Sequence, residues 1–188
     1  MCSVEVQGKI FEKYITAQQI EDAVYKVAQQ INKDYAGKEP LFIVVLNGAF
    51  IYAADLFRKI ELPSQVTFVR LQSYSGMETS GNVREMIGLN EDVEGRDVIV
   101  VEDIIDTGTS MKHFMESLKA KGVRSIALTT MLFKPDALLY KEATPKYIGI
   151  EICRSTGDVA TFKKCEENCA KYVAHLLKQY GWTIKNIK

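Results

Sequence analysis

The residues able to do chemistry concentrate in one stretch, VIVVEDIIDTGTSM, Val98 to Met111. Four aliphatic residues read as a strand buried on both faces, and the strand runs straight into Glu102, Asp103 and Asp106. Thr107, Gly108, Thr109 and Ser110 follow at once. A glycine among hydroxyl residues, where a strand gives way to a helix, makes a nest of backbone N–H groups at the positive end of the helix dipole. That is an anion site. The loop carries no lysine and no GxxxxGK[ST] pattern, so a nucleoside-triphosphate loop is excluded and a single phosphate monoester fits better. A plain strand-to-helix turn with Asp106 or Thr107 as N-cap would use the same residue types. Glu102 and Asp103 argue for more, because adjacent acids at the mouth of a buried sheet are costly unless they meet cations or hydrogen-bond donors. A vicinal diol offers two donors, and Mg²⁺ favours carboxylate oxygens and bound water. A phosphate site beside a diol site describes a ribose 5-phosphate held at both ends.

These residues need a scaffold, and the rest of the chain spells one out. Thr16 followed by Gln19 reads as a capping box, after which Ile20, Val24, Val27 and Ile31 recur at helical spacing up to a stop near Gly37. LFIVVL (41–46) is a continuous strand-like run stopped by Asn47-Gly48. AFIYAADLFRKI (49–60) returns to helical spacing, and VTFVRL (66–71) is strand-like again. Residues 72–85, QSYSGMETSGNVRE, are polar and without period, the length at which a loop is usually functional or disordered. Val98 to Val101 is a strand, and Met111, Phe114, Met115 and Leu118 mark one face of the helix after it. SIALTTML (125–132) and KYIGIEI (146–152) are two further strands. Strands alternating with helices imply right-handed crossovers and an α/β fold, a mostly parallel central sheet flanked by helices. In such sheets ligands sit at the carboxyl ends of the strands, where the opening stretch lies.

Composition sets the bounds. The chain has 188 residues, 47% hydrophobic and 26% charged, as expected of one globular core. Its 24 basic and 24 acidic residues cancel, so no electrostatic pull toward nucleic acid or membrane is expected. No apolar run has the length of a membrane span, and MCSVEVQGKIFEKY lacks the pattern of a secretory signal. With Cys2, Cys153, Cys165 and Cys169 read as reduced thiols, the expected compartment is the cytoplasm.

VIVVEDIIDTGTSM resembles the phosphoribosyl-pyrophosphate signature of the type I phosphoribosyltransferases, most closely the hypoxanthine (hypoxanthine-guanine) branch. LNGAFIYAADLFRKI, VRLQSYSGMETSG and FKPDALLYKEATPKYIGIEI fall in the family's order, so the resemblance spans roughly residues 10–152. It implies the family's fold with a flexible loop, and phosphoribosyl pyrophosphate and a 6-oxopurine as substrates. It further implies that Glu102 and Asp103 address the ribose hydroxyls directly or through Mg²⁺, and that Asp106 lies near N7 of the purine as candidate general base. Residues 106–110 would hold the 5-phosphate. Leu46, Asn47 and Gly48 match the pyrophosphate loop, where the family often has a cis peptide. Ser73 and Tyr74 would reach pyrophosphate from residues 72–85, the loop that closes to keep water from the reacting ribose. Lys134 would read the purine 6-position, since lysine only donates hydrogen bonds and so suits a 6-oxo group and not the amino group of adenine.

After Ile152 the resemblance stops. In ungapped register the family's purine-stacking aromatic falls on Thr156 and its metal-binding aspartate on Lys163, while Leu138 stands where many relatives carry an arginine for pyrophosphate. The expectation is therefore a phosphoribosyltransferase core over 1–152 and an atypical helical segment over 153–188, with a normal donor site and a weakened base site. In that segment Phe162, Cys165, Cys169, Val173, Leu176 and Tyr180 mark an apolar helical face, and the two cysteines read as core residues rather than metal ligands. The activity expected is Mg²⁺-dependent salvage of hypoxanthine and guanine to the nucleoside 5-monophosphates, in a homodimer or homotetramer. Two rivals stand beside it: a regulator that binds phosphoribosyl pyrophosphate without base transfer, and the same transfer on xanthine.

Overall fold

The computed structural model describes residues 4–6, 9–11, 14–71 and 86–152. In chain order the elements are β1 (Val4–Val6), β2 (Lys9–Phe11), α1 (Ala17–Asp34), β3 (Leu41–Leu46), α2 (Phe50–Phe57), β4 (Gln65–Leu71) and β5 (Met86–Ile87). Then come β6 (Asp97–Ile105), α3 (Thr109–Ala120), β7 (Ser125–Phe133) and β8 (Tyr147–Glu151), with single 3-10 turns at Pro135–Ala137 and Lys141–Ala143. The chain divides into two compact units, Ile20–Cys153 and a second made of Met1–Gln19 with Arg154–Lys188. Of the second, β1 and β2 form an antiparallel pair. Everything below concerns the first unit and the cap of its leading helix.

The capping box forms as its spacing predicts. The Thr16 N–H donates to Gln19 Oε1 at 2.8 Å, and the Gln19 N–H donates to Thr16 Oγ1 at 3.1 Å. Ile20, Val24, Val27 and Ile31 are all buried, and Gly37, at φ 74°, turns the chain out of the helix. The six-stranded sheet has the order β5-β4-β3-β6-β7-β8. Every neighbouring pair is parallel except β4 and β5. This is the mostly parallel sheet that the uninterrupted aliphatic runs imply, since only strands covered on both faces can be apolar at every position.

Alternate residues of the strands serve opposite layers. Leu41, Ile43, Val45, Val98, Val100 and Leu128 pack with Met111, Phe114, Met115 and Leu118 of α3. On the other face, Phe42 meets Phe57 of α2 edge to face at 5.2 Å, and the Tyr52 hydroxyl of α2 lies 2.6 Å from Thr129 Oγ1 of β7. Each fully buried aliphatic side chain of these layers contributes about 1.5–3 kcal/mol relative to exposure, which fixes the helices on the sheet. The foot of the sheet is pinned by polar contacts instead. Arg124 is paired with the buried Asp97, and the Tyr147 hydroxyl donates to Asp34 at 2.9 Å. Among the described residues no helix is long and apolar enough to cross a membrane.

One element is longer than the sequence suggests. The strand read as Val98–Val101 runs to Ile105, so Glu102 and Asp103 lie inside it rather than beyond its end. The cause is the pairing with β7, which continues through Glu102↔Thr130, Ile104↔Leu132 and Ile105↔Phe133. On its other side β6 loses its neighbour at Val44↔Val101.

Candidate active site

That one-sided end creates the site. From β3 the chain builds the sheet outward to β4 on one side, and from β6 outward to β7 and β8 on the other. The order of building reverses between β3 and β6, and a crevice opens at their carboxyl ends. Leu46, Asn47 and Gly48 turn out of β3 on one bank, and Glu102 and Asp103 stand on the other.

The two banks touch. A Cβ added to Gly48 would collide with Asp103 Oδ2 and lie 2.6 Å from its Cγ, so glycine lets the loop pass close over that carboxylate where it stands. Leu46–Asn47 is a cis peptide, as the resemblance implies. Asp103 Oδ1 accepts the Ile104 N–H at 2.8 Å, which fixes the carboxylate under the loop. Glu102 is the more enclosed acid: its Oε2 is buried and has no hydrogen-bond partner among the described residues. Burial first, and the neighbouring Asp103 second, hold its carboxyl well above the usual carboxylate range. Two neighbouring acids, one with an oxygen that no described residue satisfies, form an acceptor site.

The turn that follows supplies donors. Gly108, at φ 74°, is the N-cap of α3 and has no side chain to offer the first turn. The N-cap position considered for Asp106 or Thr107 thus falls to Gly108, while Thr107 Oγ1 still accepts the Thr109 N–H at 3.5 Å. The Asp106 carboxylate turns back to accept the Thr107 N–H at 2.5 Å, and the Thr107 and Thr109 hydroxyls lie 3.2 Å apart. A wall behind the nest comes from the segment 135–143, of which the sequence pointed only to Leu138, as a departure at a pyrophosphate position. A Cβ on Gly108 would lie 2.9 Å from both Ala143 Cβ and Leu138 Cδ1. The Leu139 N–H donates to Thr107 O at 3.0 Å. Gly108 was legible as a turn glycine, but the close approach behind it needs the fold.

Lys134 is buried, with 2% of its surface exposed. Its backbone N–H donates to Ile105 O at 2.9 Å, one step beyond the last paired residues Ile105↔Phe133. Asp106 and Lys134 thus leave neighbouring strands at the same level, and such strands are about 4.8 Å apart. Ser73 and Tyr74 lie outside the described residues, as do Thr156, Lys163 and the helical segment expected after Ile152. The segment that contains Ser73 and Tyr74 is bracketed by Leu71↔Met86, a pair that brings its two ends side by side.

Residues 12–159 match the family model of the phosphoribosyl transferase domain. The hypoxanthine-guanine phosphoribosyltransferase of Mycobacterium bovis is 36% identical over 152 residues, covering 77% of this chain and 75% of that protein. The hypoxanthine phosphoribosyltransferase of Salmonella typhimurium is 36% identical over 127 residues, covering 66% and 71%. Among solved structures, a hypoxanthine-guanine phosphoribosyltransferase from Bacillus anthracis superposes with a TM-score of 0.66 at 30% identity, over 77% of this chain and 84% of that one.

Proposed function

The chain belongs to the phosphoribosyl transferase domain family, and from that premise we propose that it salvages purines. It would convert hypoxanthine and guanine with phosphoribosyl pyrophosphate to IMP and GMP, releasing pyrophosphate. The observation that carries this reading is the convergence of three unlike surfaces at one crevice: the Gly48 loop on the Asp103 carboxylate, the Gly108 turn into α3, and Lys134 beside Asp106. A ribose 5-phosphate needs the first two, and a 6-oxopurine needs the third.

In the reaction the bond from C1′ to the pyrophosphate oxygen breaks and the bond from C1′ to N9 of the base forms. The residues 106–110 hold the 5-phosphate, and Glu102 and Asp103 hold the ribose hydroxyls. With both ends fixed, C1′ is presented to the base, and such positioning is a large part of the rate. Asp106 takes the proton that the base gives up at N7. Lys134 donates to the 6-oxygen. Ser73 and Tyr74 complete the pyrophosphate side.

Mg²⁺ suits the acids present. It binds through one or two carboxylates plus substrate oxygens and keeps several waters, and Glu102 with Asp103 offers two carboxylates, one with an orphaned oxygen. No group of three or more candidate ligands occurs among the described residues, so substrate and water would have to complete the shell. When bound, the ion neutralises the charge that develops on the leaving pyrophosphate. The reading places the enzyme in the cytoplasm as a homodimer or homotetramer. Val66 and Phe68, exposed side by side on β4, give a second copy apolar surface to bury.

A panel assay tests the activity. Phosphoribosyl pyrophosphate, Mg²⁺ and each of hypoxanthine, guanine, xanthine, adenine and uracil are scored for pyrophosphate release. Hypoxanthine and guanine should react and adenine should not. Release with none of the five, despite donor binding, would favour the donor-binding regulator. The acids have their own test. Glu102→Gln with Asp103→Asn should raise the Mg²⁺ concentration for half-maximal rate at least tenfold and weaken donor affinity, because two acceptors lose their charge. Mg²⁺ titrations that superimpose on those of the unsubstituted protein would remove both acids from the diol and metal roles.

A further inference from the structure

Among the described residues, little positive charge stands at the pyrophosphate end that the donor reading requires. Leu46, Asn47 and Gly48 carry none, the nest at 106–110 is backbone and hydroxyl, and Lys134 lies beyond β6 on the base side. A departing pyrophosphate carries several negative charges, and backbone dipoles with one divalent ion do not cancel them all. One cation of the described residues stands beside the loop. Arg70 of β4 is in register with Leu46, the residue that opens the cis bond. Its side chain is exposed, and its Nη2 donates to Asn47 Oδ1 at 3.4 Å. That is a long hydrogen bond, and among the described residues the partner is a neutral amide. Arg70 also stands one residue before Leu71, whose pairing with Met86 closes the base of the 72–85 segment.

We propose that Arg70 is the pyrophosphate-binding cation of this site, held against Asn47 until the donor arrives. The proposal rests on the donor reading given above. Exchanging a long bond to a neutral amide for a short one to ionised phosphoryl oxygens is favourable, since the second partner then carries the opposite charge. The planar guanidinium can engage two phosphoryl oxygens at once, which an ammonium cannot. Because the contact is to the leaving group, Arg70 would stabilise charge that grows as the C1′ bond breaks, and so act on turnover as well as on binding. It would also hold the Asn47 side chain in place before the donor binds. The sequence gives no sign of this role: an arginine in an exposed strand position is ordinarily a solvated one.

The test is calorimetry on the full chain with two probes, Mg²⁺–pyrophosphate and IMP, for the unsubstituted protein, Arg70→Gln and Arg70→Lys. Arg70→Gln should weaken pyrophosphate by about ten- to a hundred-fold, the scale of one lost hydrogen bond between charged groups, and leave IMP unchanged. Arg70→Lys should recover part of the loss, because it restores charge without the fork. Steady-state rates should show kcat falling in Arg70→Gln, with the KM for hypoxanthine unmoved. Equal pyrophosphate affinity in Arg70→Gln and the unsubstituted protein overturns the assignment. So does an equal loss for both probes, which would mark a structural role. If the unsubstituted protein binds IMP and Mg²⁺–pyrophosphate but Arg70→Gln changes nothing, only this inference falls. If it binds none of the probes, the phosphoribosyl reading falls and takes the inference with it.

Discussion

Asp106→Asn is expected to lower kcat by about 10²–10⁴-fold and to leave the affinity for phosphoribosyl pyrophosphate unchanged. The selectivity follows from what the carboxylate does in the fold. Its Oδ1 accepts the Thr107 N–H, and an asparagine Oδ1 can accept the same bond, so the turn into α3 keeps its shape. Gly108 at the N-cap does not depend on the charge of residue 106, and the Thr107 hydroxyl, 3.4 Å from Asp106 Oδ1 and 3.2 Å from Thr109 Oγ1, can donate to an amide oxygen as well. The 5-phosphate site therefore survives the substitution. What asparagine cannot do is take a proton, and the base must lose one when N9 becomes bonded to C1′. Single-turnover measurements with hypoxanthine at saturating donor would separate this from a binding defect: the rate of the chemical step should fall in Asp106→Asn while donor affinity, measured by calorimetry, stays the same. Turnover equal to that of the unsubstituted protein would remove Asp106 from the base role.

The fold was legible in the sequence wherever burial is uniform. LFIVVL became β3 to the residue, because a strand covered on both faces has no reason to alternate. The helix faces Ile20–Ile31 and Met111–Leu118 were legible for the complementary reason, since one side is buried and the period shows. The end of β6 was not. Glu102 and Asp103 look like strand breakers in a one-dimensional reading, and what carries the strand through them is the ladder to β7, a partner that local pattern does not reveal. The two-residue β5 was missed for lack of any period at that length. The site divides along the same line. Every group within 102–110 could be named from its own neighbourhood, because nest, dipole and acids lie together in sequence. The contact of Gly48 with Asp103, the backbone bond from Lys134 to Ile105 and the reach of Arg70 to Asn47 join distant segments. Strand order places them, and no local pattern encodes strand order.

Lys134→Ala is expected to raise the KM for hypoxanthine and guanine by about ten- to a hundred-fold, and to narrow the discrimination against adenine. The geometry behind this is the purine's own. Its N7 and its 6-substituent are neighbours on one edge of the ring system. Asp106 and Lys134 leave adjacent strands at one level, tied by the bond from the Lys134 N–H to Ile105 O, so one residue can face each atom. An ammonium donates and never accepts, which matches an oxygen at the 6-position and leaves donor facing donor when an amino group stands there. A site built to hydrogen-bond one substituent rejects its mismatch because a buried group is then left unpaired, at a cost of about 1–3 kcal/mol. Lys134 is buried, so alanine also removes a packed stem, and Lys134→Met separates the two effects by keeping most of the stem without the charge. Lys134→Met should reproduce the KM rise for the 6-oxopurines, with donor affinity by calorimetry and thermal stability close to those of the unsubstituted protein. Adenine should improve relative to hypoxanthine in both variants. A loss of the same proportion for every base, in both variants, would mean that Lys134 supports the fold and that the 6-position is read by another group.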